Sequence, residues 1–531
     1  MENLHTQNDS RSWRFQDGLV AAMMDPGFYP KPPAEIAHKE THISHVFLAG
    51  DLVYKIKKAV RFSFLDYSTL GRRYHFLNEE LRLNRRLAPS VYLAVMPITL
   101  DGARWHLGGD GPPVEYALVM RRLPERRMLP FLLETDQVTP EMMGNLAEIL
   151  ARFHGQAERI KLADASGYPK AVAQQWNDNF RELEPLEGTL IDTETVEALK
   201  GFGARFIDRH QDLLTERACG GWIRDVHGDL HCEHVCFAPE GIEIFDCIEF
   251  SPAIRRCDLA SEMAFLLMDL EVRGGGVAVK PLLTRYRELL NDAQMPVLLP
   301  FYQCYRAVVR AKVHRLRAGG INPEAARYFH FAARFTWDSM KPFVLMICGL
   351  TGSGKSTLAR ELGERLGMPV INSDAVRKGM AERSGRQVVP FNAGIYDRTM
   401  TQKTYAKMAR EAEKTILNGS GAILDATFGQ KVHRGKIIRL AEKYRVPLFL
   451  IHCVASDETT RKRLAERALA GKDISDGRWE IYLQQSAAYQ AIDEILPPHR
   501  LELNTESTPE ELARVSERFL RSRGMPGSSL A

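Results

Sequence analysis

At 531 residues the chain exceeds what one hydrophobic core organises, so a single small domain is excluded. Apolar residues at 45% and charged residues at 26% are ordinary for a globular protein, and a net charge of +4 gives no argument for nucleic acid. No apolar stretch nears the ~20 residues of a bilayer span, and eight sparse cysteines in apolar runs point to reduced thiols rather than a disulfide framework.

The first twenty residues carry no apolar segment of the secretory kind, so a cytoplasmic location and no membrane partner are expected. Phe47–Lys57 (FLAGDLVYKIK) alternates around Ala49-Gly50-Asp51 and predicts a hairpin. Tyr92–Ile98 and Tyr116–Met120 predict further strands. From Glu141 onward helical periodicity dominates, broken by a strand-like region from Val226 to Phe250. The expectation is one domain over 1–340, with a small β-rich lobe at about 35–122 and a helical lobe at about 123–340. No internal repeat or low-complexity tract interrupts it.

Within that helical lobe lies Val226–Phe237, VHGDLHCEHVCF, followed by IEIFDCIEF. Asp229 is placed to accept a proton from a substrate hydroxyl. Asp246, after the apolar run Ile242–Phe245, is placed to hold Mg²⁺ bridging nucleotide phosphates. Kinase logic adds a strand lysine to fix phosphates and a helix carboxylate to pair with it. Lys55 in LVYKIKK and Glu80 in LNEELRLNRRL fill those places, with Glu79 the rival.

These residues resemble the aminoglycoside phosphotransferases and the wider eukaryotic-like small-molecule kinases. They are most similar to an arrangement in which such a domain precedes a P-loop domain. ETHISHVFLAGDLVYKIKK and YRAVVRAKVHRL extend the likeness over most of residues 35 to 335. It implies a bilobal protein-kinase-like fold using ATP and Mg²⁺. The family pattern is HGDLHxxN, whose asparagine ligates a second Mg²⁺, and His234 stands there instead. Neutral imidazole is a poor ligand for an ion that prefers oxygen. An active domain and a degenerate one that only binds therefore both remain open.

His227, His231, Cys232, His234 and Cys236 also invite a zinc reading. Their compressed spacing, with no second cluster, argues against it. On the helix FYQCYRAVVRAKVHRLRAGG, Arg306, Arg310, Lys312, His314, Arg315 and Arg317 are expected on a solvated face packed by Tyr305, Val308 and Val309. Arg255, Arg256, Asp258 and Glu262 are expected to brace the loop lobe.

A second domain is expected over 341–523, with 524–531 a frayed tail. The apolar run Phe343–Cys348 feeds Gly349–Ser356, GLTGSGKS, a full match to G-x-x-x-x-G-K-[ST] that opens a helical pattern from Ser356 to Leu366. Gly349, Leu350, Thr351, Gly352, Ser353, Gly354, Lys355, Ser356 and Thr357 thus form the seat of a nucleotide. Backbone amides close around the phosphates, Lys355 reaches the β/γ oxygens and the Ser356 hydroxyl ligates Mg²⁺. Runs at Pro369–Ser373, Gly421–Ala426, Pro447–Val454 and Arg500–Asn504, each followed by a helical pattern, predict a parallel sheet covered on both faces.

Asp374 ends the second strand, with Arg377 one helical turn on. Asp425 ends the next, placed to hold Mg²⁺ through water or to touch the acceptor. The structural alternative for both aspartates is a helix N-cap. Arg463 and Arg467, spaced i,i+4, suit a lid over the phosphates, or else a solvated helix face. His433 and Arg434 are lesser candidates. This half resembles the P-loop kinases of the polynucleotide-kinase and zeta-toxin type. The resemblance implies that Asp374 is the base for an acceptor hydroxyl and that Arg377 stabilises the transferring phosphate.

The expected protein is α/β and α+β, two fused kinase-like domains moving the γ-phosphate of ATP to a hydroxyl of a small-molecule acceptor. Two rivals stay open: a nucleotide-binding regulatory or scaffold protein without turnover, and a polynucleotide 5′-end kinase.

Overall fold

A computed structural model describes residues 10–62, 65–102, 104–161, 165–181, 193–318, 322–337, 341–380, 397–470 and 478–524. The expected tail lies, but for Gly524, outside these. Two compact units emerge, Met1–Leu190 with Lys200–Phe329, and Ile191–Leu199 with His330–Ala531.

In the first unit the sequence makes strands β1 (Ile36–Glu40), β2 (Ser44–Ala49) and β3 (Leu52–Lys57), then the short pair β4 (Arg61–Phe62) and β5 (Leu65–Asp66). β6 (Tyr92–Asp101), β7 (Arg104–Leu107) and β8 (Pro113–Arg121) follow. Six of them form an antiparallel sheet in the order β1-β2-β3-β8-β6-β7. The β2–β3 hairpin turns at Gly50, whose φ of +62° suits a residue without Cβ. Alternation buries Phe47, Tyr54, Ile56 and Val119 on one face. On the other, Leu118 packs with Leu77 of the helix Leu70–Asn84, which Thr69 caps.

The large lobe centres on the helix Leu259–Val272, buried over Leu259–Leu270, an all-round apolar helix of the kind found inside a core. Around it sit β9 (Ile223–Asp225), β10 (Val235–Ala238), β11 (Gly241–Ile244) and β12 (Arg256–Asp258). The strand-like region expected over Val226–Phe250 is thus only partly strand. Its polar stretch HGDLHCEH forms no strand, ending instead in a 3₁₀ turn at Cys232–His234, because buried side chains take its amides: Glu262 accepts from His227 and Gly228, and Asp269 from Cys232.

The helix Met295–Ala318 corrects one expectation. Arg306 and Arg310 are buried, not solvated. Arg306 donates to the Gly228 carbonyl and Ser261, while Arg310 reaches Glu233 and His231, so the guanidinium groups point into the loop region. The expected braces form: Arg255 pairs with Asp225, and Asp258 with the buried Arg217.

The second unit holds β13 (Val344–Cys348), β14 (Val370–Asn372), β15 (Ala422–Asp425), β16 (Leu448–Val454) and β17 (Arg500–Asn504). All pair in parallel, in the order β14-β15-β13-β16-β17. β13 is buried along its whole length, and separate apolar clusters pack on the two faces of the sheet.

Candidate active sites

Strand register gathers the second unit's site at one edge. Asn372 pairs with Asp425 and Asp425 with Ile347, so the chain leaves β14, β15 and β13 side by side. Ligands of open parallel sheets sit at such carboxyl ends. The loop after β13 is tightly held. A Cβ on Gly349, at φ +146°, would meet the Cys453 carbonyl at 2.4 Å and the Ser353 hydroxyl at 2.6 Å. Gly354, at φ +81°, opens the helix Lys355–Leu366, whose first turn carries Ser356 and Thr357.

Thr505 donates to the Ser353 carbonyl at 2.8 Å. Arg463 reaches Thr505 Oγ1 at 3.0 Å and the Gly352 carbonyl at 3.5 Å, so it clamps the loop instead of lying on a solvated face. Arg467, one turn on, is half-buried. The Thr351 amide donates to Gln485 at 3.0 Å. Lys355 Nζ donates to the Leu350 carbonyl at 3.3 Å. The Thr351 and Ser353 hydroxyls, both buried, have no hydrogen-bond partner.

Asp374 lies in the first turn of the helix Ser373–Met380 and pairs with Arg377 at 2.5 Å. Its neighbour Asn372 does the capping, accepting from the Ala375 amide at 2.9 Å. Asp425 is 1% exposed: Oδ2 accepts from Asn372 at 2.6 Å and Oδ1 has no partner. The helix after it is capped at Gln430, so neither aspartate is spent as an N-cap. An orphaned buried carboxylate oxygen is what a cation or its water would satisfy. The amide cradle and this oxygen together suit a nucleotide with Mg²⁺. His433 stacks on Tyr405, and Arg434 is wholly buried between Phe428, Ala491 and Glu494, a brace of the core.

The first unit brings together residues far apart in sequence. Lys55 Nζ lies 2.7 Å from Glu80 and 3.0 Å from Asp246. Glu79, the rival, pairs outward with Arg82. Glu80 also takes Lys57 at 2.6 Å, and Lys57 reaches Glu249 at 2.5 Å, where the Tyr67 hydroxyl also donates. Lys57 is fully buried. Burial works to lower the Lys55 pKa, but Asp246 and Glu80 outweigh it and hold the ammonium well above its ordinary value. Burial likewise pushes the Asp246 carboxyl up, and Lys55 with His234 holds it below the usual range. Asp246 has φ +63°, a left-handed conformation that aspartate tolerates better than most residues with a Cβ.

Behind Asp229, burial holds the His227 imidazole down to about 3, so it is neutral. Its Nε2–H donates to the Phe245 carbonyl at 2.8 Å and Nδ1 accepts from the Asp229 amide at 3.3 Å. Asp229 itself is ionised. Burial opposes this, but His231, His234 and Arg310 hold the carboxyl well below its usual range. Of the residues weighed for zinc, Cys232 and Cys236 face elsewhere, into the core, but His231 and His234 meet Asp229. The donors here fit Mg²⁺ less well than those at Asp425, because His234 offers nitrogen where an oxygen is preferred.

Sequence reasoning missed Lys57, Glu249, Asn372, Gln485 and Thr505. A readable signal existed for Lys57 alone, since alternation in LVYKIKK puts it on the same face as Lys55.

Residues 52–294 match the phosphotransferase enzyme family and residues 344–492 match an AAA domain. The uncharacterized protein Rv2004c of Mycobacterium tuberculosis is 31% identical over 443 residues, covering 82% of this chain and 87% of that protein. A shikimate kinase of Thermosynechococcus vestitus is 24% identical over 142 residues, 26% of this chain and 75% of the enzyme. Among solved structures, a choline/ethanolamine kinase family protein from Mesorhizobium loti covers 60% of this chain and 93% of its own, at 15% identity and TM-score 0.36. No helix among the described residues is long and apolar enough to cross a membrane.

Proposed function

This chain belongs to the family of the mycobacterial protein Rv2004c, a phosphotransferase-type domain joined to a P-loop kinase-like domain, and from that premise we propose an ATP- and Mg²⁺-dependent phosphotransferase acting on a hydroxyl. We place turnover first in the P-loop domain, assign the domains to 1–340 and 341–523, and expect the protein in the cytoplasm. One observation carries the reading: the ion-paired Asp374 and the half-satisfied Asp425 leave the sheet at the same edge as the amide cradle.

In this reading Gly349–Thr357 seats the phosphates, with Lys355 on the β/γ oxygens. Ser356 and Asp425 hold the Mg²⁺, whose charge offsets that of the phosphate oxygens when bound. Asp374 takes the proton of the acceptor hydroxyl. Arg377 and Arg467 balance charge on the group in transfer, and Arg463 keeps the loop in shape. Holding both reactants in line supplies much of the rate advantage in this chemistry. In the amino-terminal domain Lys55, steadied by Glu80, fixes phosphates, Asp246 binds the cation and Asp229 is the base. That domain is either a second active site or a binding module.

A γ-labelled ATP assay against metabolites and oligonucleotides tests the proposal, comparing wild type with Lys355→Ala and Asp229→Ala. Loss of label transfer in Lys355→Ala alone assigns the chemistry to the P-loop domain. Transfer untouched by Lys355→Ala sinks that assignment. Two rivals give other patterns: a nucleotide switch transfers to no acceptor, and a polynucleotide end kinase labels oligonucleotides with steep salt dependence.

A further inference from the structure

We propose that Asp229, His231 and His234, with Asp246 as a fourth donor, bind one divalent transition-metal ion of the zinc class. An ion held there takes the Asp229 carboxylate from the role of base, so the site belongs with the binding-module reading of this domain. One ligand atom from each of the first three lies within 4.8 Å of the others, the one such group among the described residues. His231 Nε2 is 3.5 Å from Asp229 Oδ2, and His234 Nε2 is 3.6 Å from Asp246 Oδ2. These separations are close to the ~3.4 Å edge of a tetrahedron with bonds of about 2.1 Å.

The hydrogen bonds fix which nitrogens carry protons. A carbonyl only accepts, so the 2.8 Å contact to the Asp229 carbonyl puts a proton on His234 Nδ1 and turns Nε2 toward Asp246. A guanidinium only donates, so Arg310, 3.3 Å from His231 Nε2, marks that nitrogen as the acceptor. Each of these Nε2 atoms faces a carboxylate oxygen, so a cation seated between them would be held from both sides. Lys55 occupies the other oxygen of Asp246, leaving Oδ2 to face His234. His231 is 1% exposed, and its Nδ1 has no partner, with Glu233 the nearest carboxylate at 3.8 Å.

The donor chemistry selects the ion. Two imidazoles with carboxylates suit zinc and its neighbours, whereas Mg²⁺ prefers six oxygens in an octahedron. An Nδ1–H held by a backbone carbonyl is also the outer contact that orients a metal-ligating imidazole. Arg310 is the competing cation, and a bound metal takes over its contact with His231.

Equilibrium dialysis of the chelator-stripped full chain against Zn²⁺, in large excess of Mg²⁺, tests this. One Zn²⁺ per chain is expected to remain, weakened at least about tenfold in His234→Asn and in Asp229→Asn. X-ray absorption of the Zn²⁺-loaded wild type, which needs no variant, is expected to show two imidazoles and no sulfur. Failure to hold Zn²⁺ against Mg²⁺, equal affinity in His234→Asn, or a sulfur or single-imidazole shell overturns the proposal.

Discussion

The two sites manage their charge in opposite ways. In the amino-terminal unit the cations are already taken: Lys55 bridges Glu80 and Asp246, and Lys57 bridges Glu80 and Glu249. In the P-loop unit the polar atoms stand open, with Asp425 Oδ1 and two loop hydroxyls unpartnered and Lys355 resting on a carbonyl. A closed ion network holds its geometry without ligand but must surrender contacts to bind one. The P-loop cradle exchanges neutral contacts rather than ion pairs, since the Thr351 amide leaves Gln485 and Lys355 leaves the Leu350 carbonyl. This difference is why turnover is placed first at the P-loop.

The largest expected effect tests that placement directly. Asp374→Asn keeps the size of the side chain and removes the base. Transfer should fall by roughly 10²–10⁴-fold in single-turnover assays while calorimetric ATP affinity stays near wild type. A variant that still transfers at the wild-type rate would move the chemistry elsewhere.

Next comes the closed network. Lys57→Met strips the shared cation from Glu80 and Glu249, both in the core. Breaking a buried pair from one side costs about 3–5 kcal/mol, so the melting transition of the first unit should drop well below its wild-type value. Adding Glu249→Gln should recover part of that loss, because one uncompensated charge is gone. No recovery would mean that Lys57 matters through packing alone.

The same contrast explains what the sequence made legible. Gly349–Thr357 is contiguous, so the seat of the phosphates could be read without knowing any neighbour. Lys55, Glu80, Asp229 and Asp246 follow from kinase logic applied to separate segments rather than from one contiguous motif, since the Lys55–Asp246 contact spans 191 positions. Thr505 and Gln485 were invisible because each takes its role from a loop more than a hundred residues away. Arg306 and Arg310 were misread for a related reason. Periodicity assigns arginine to solvent, but buried carbonyls and a carboxylate here accept hydrogen bonds from both side chains. Both aspartates of the P-loop half sit near the expected strand ends, and the contact of Asn372 with the Ala375 amide and the place of Gln430 before the next helix distinguish them from caps.

Acid should find the amino-terminal unit through its buried imidazoles before its carboxylates. Burial holds His154 and His227 down to about 3. The unfolded chain takes up these protons near pH 6.5 and the folded one does not, so stability declines as pH falls from 6.5 towards 3. At pH 4.5 each group costs roughly 3 kcal/mol. Asp229 and Asp246, held low, contribute loss only below about pH 4. Urea midpoints followed by near-ultraviolet dichroism should therefore fall between pH 6.5 and 4.5, and His154→Gln should flatten the slope by about one proton. A flat profile over that range would mean that these imidazoles open to water and titrate normally.

The smallest effect concerns how the cradle is kept open. Arg463 ties the loop to Thr505 by contacts to Oγ1 and the carbonyl, and Thr505 in turn holds the Ser353 carbonyl. Arg463→Ala removes the guanidinium but leaves the threonine's own bond, so the loop loosens without collapsing. A half-buried charged hydrogen bond of this kind is worth about 1–2 kcal/mol, a five- to thirtyfold loss of ATP affinity by calorimetry. The converse change, Thr505→Val, removes the Oγ1 contact to Arg463 and frees the Ser353 carbonyl, while Arg463 keeps the Thr505 carbonyl. Because it cuts the direct tie to the loop, it should cost more than Arg463→Ala. If the two losses came out in the opposite order, Arg463 would be acting on the nucleotide itself, and the lid reading would replace the clamp.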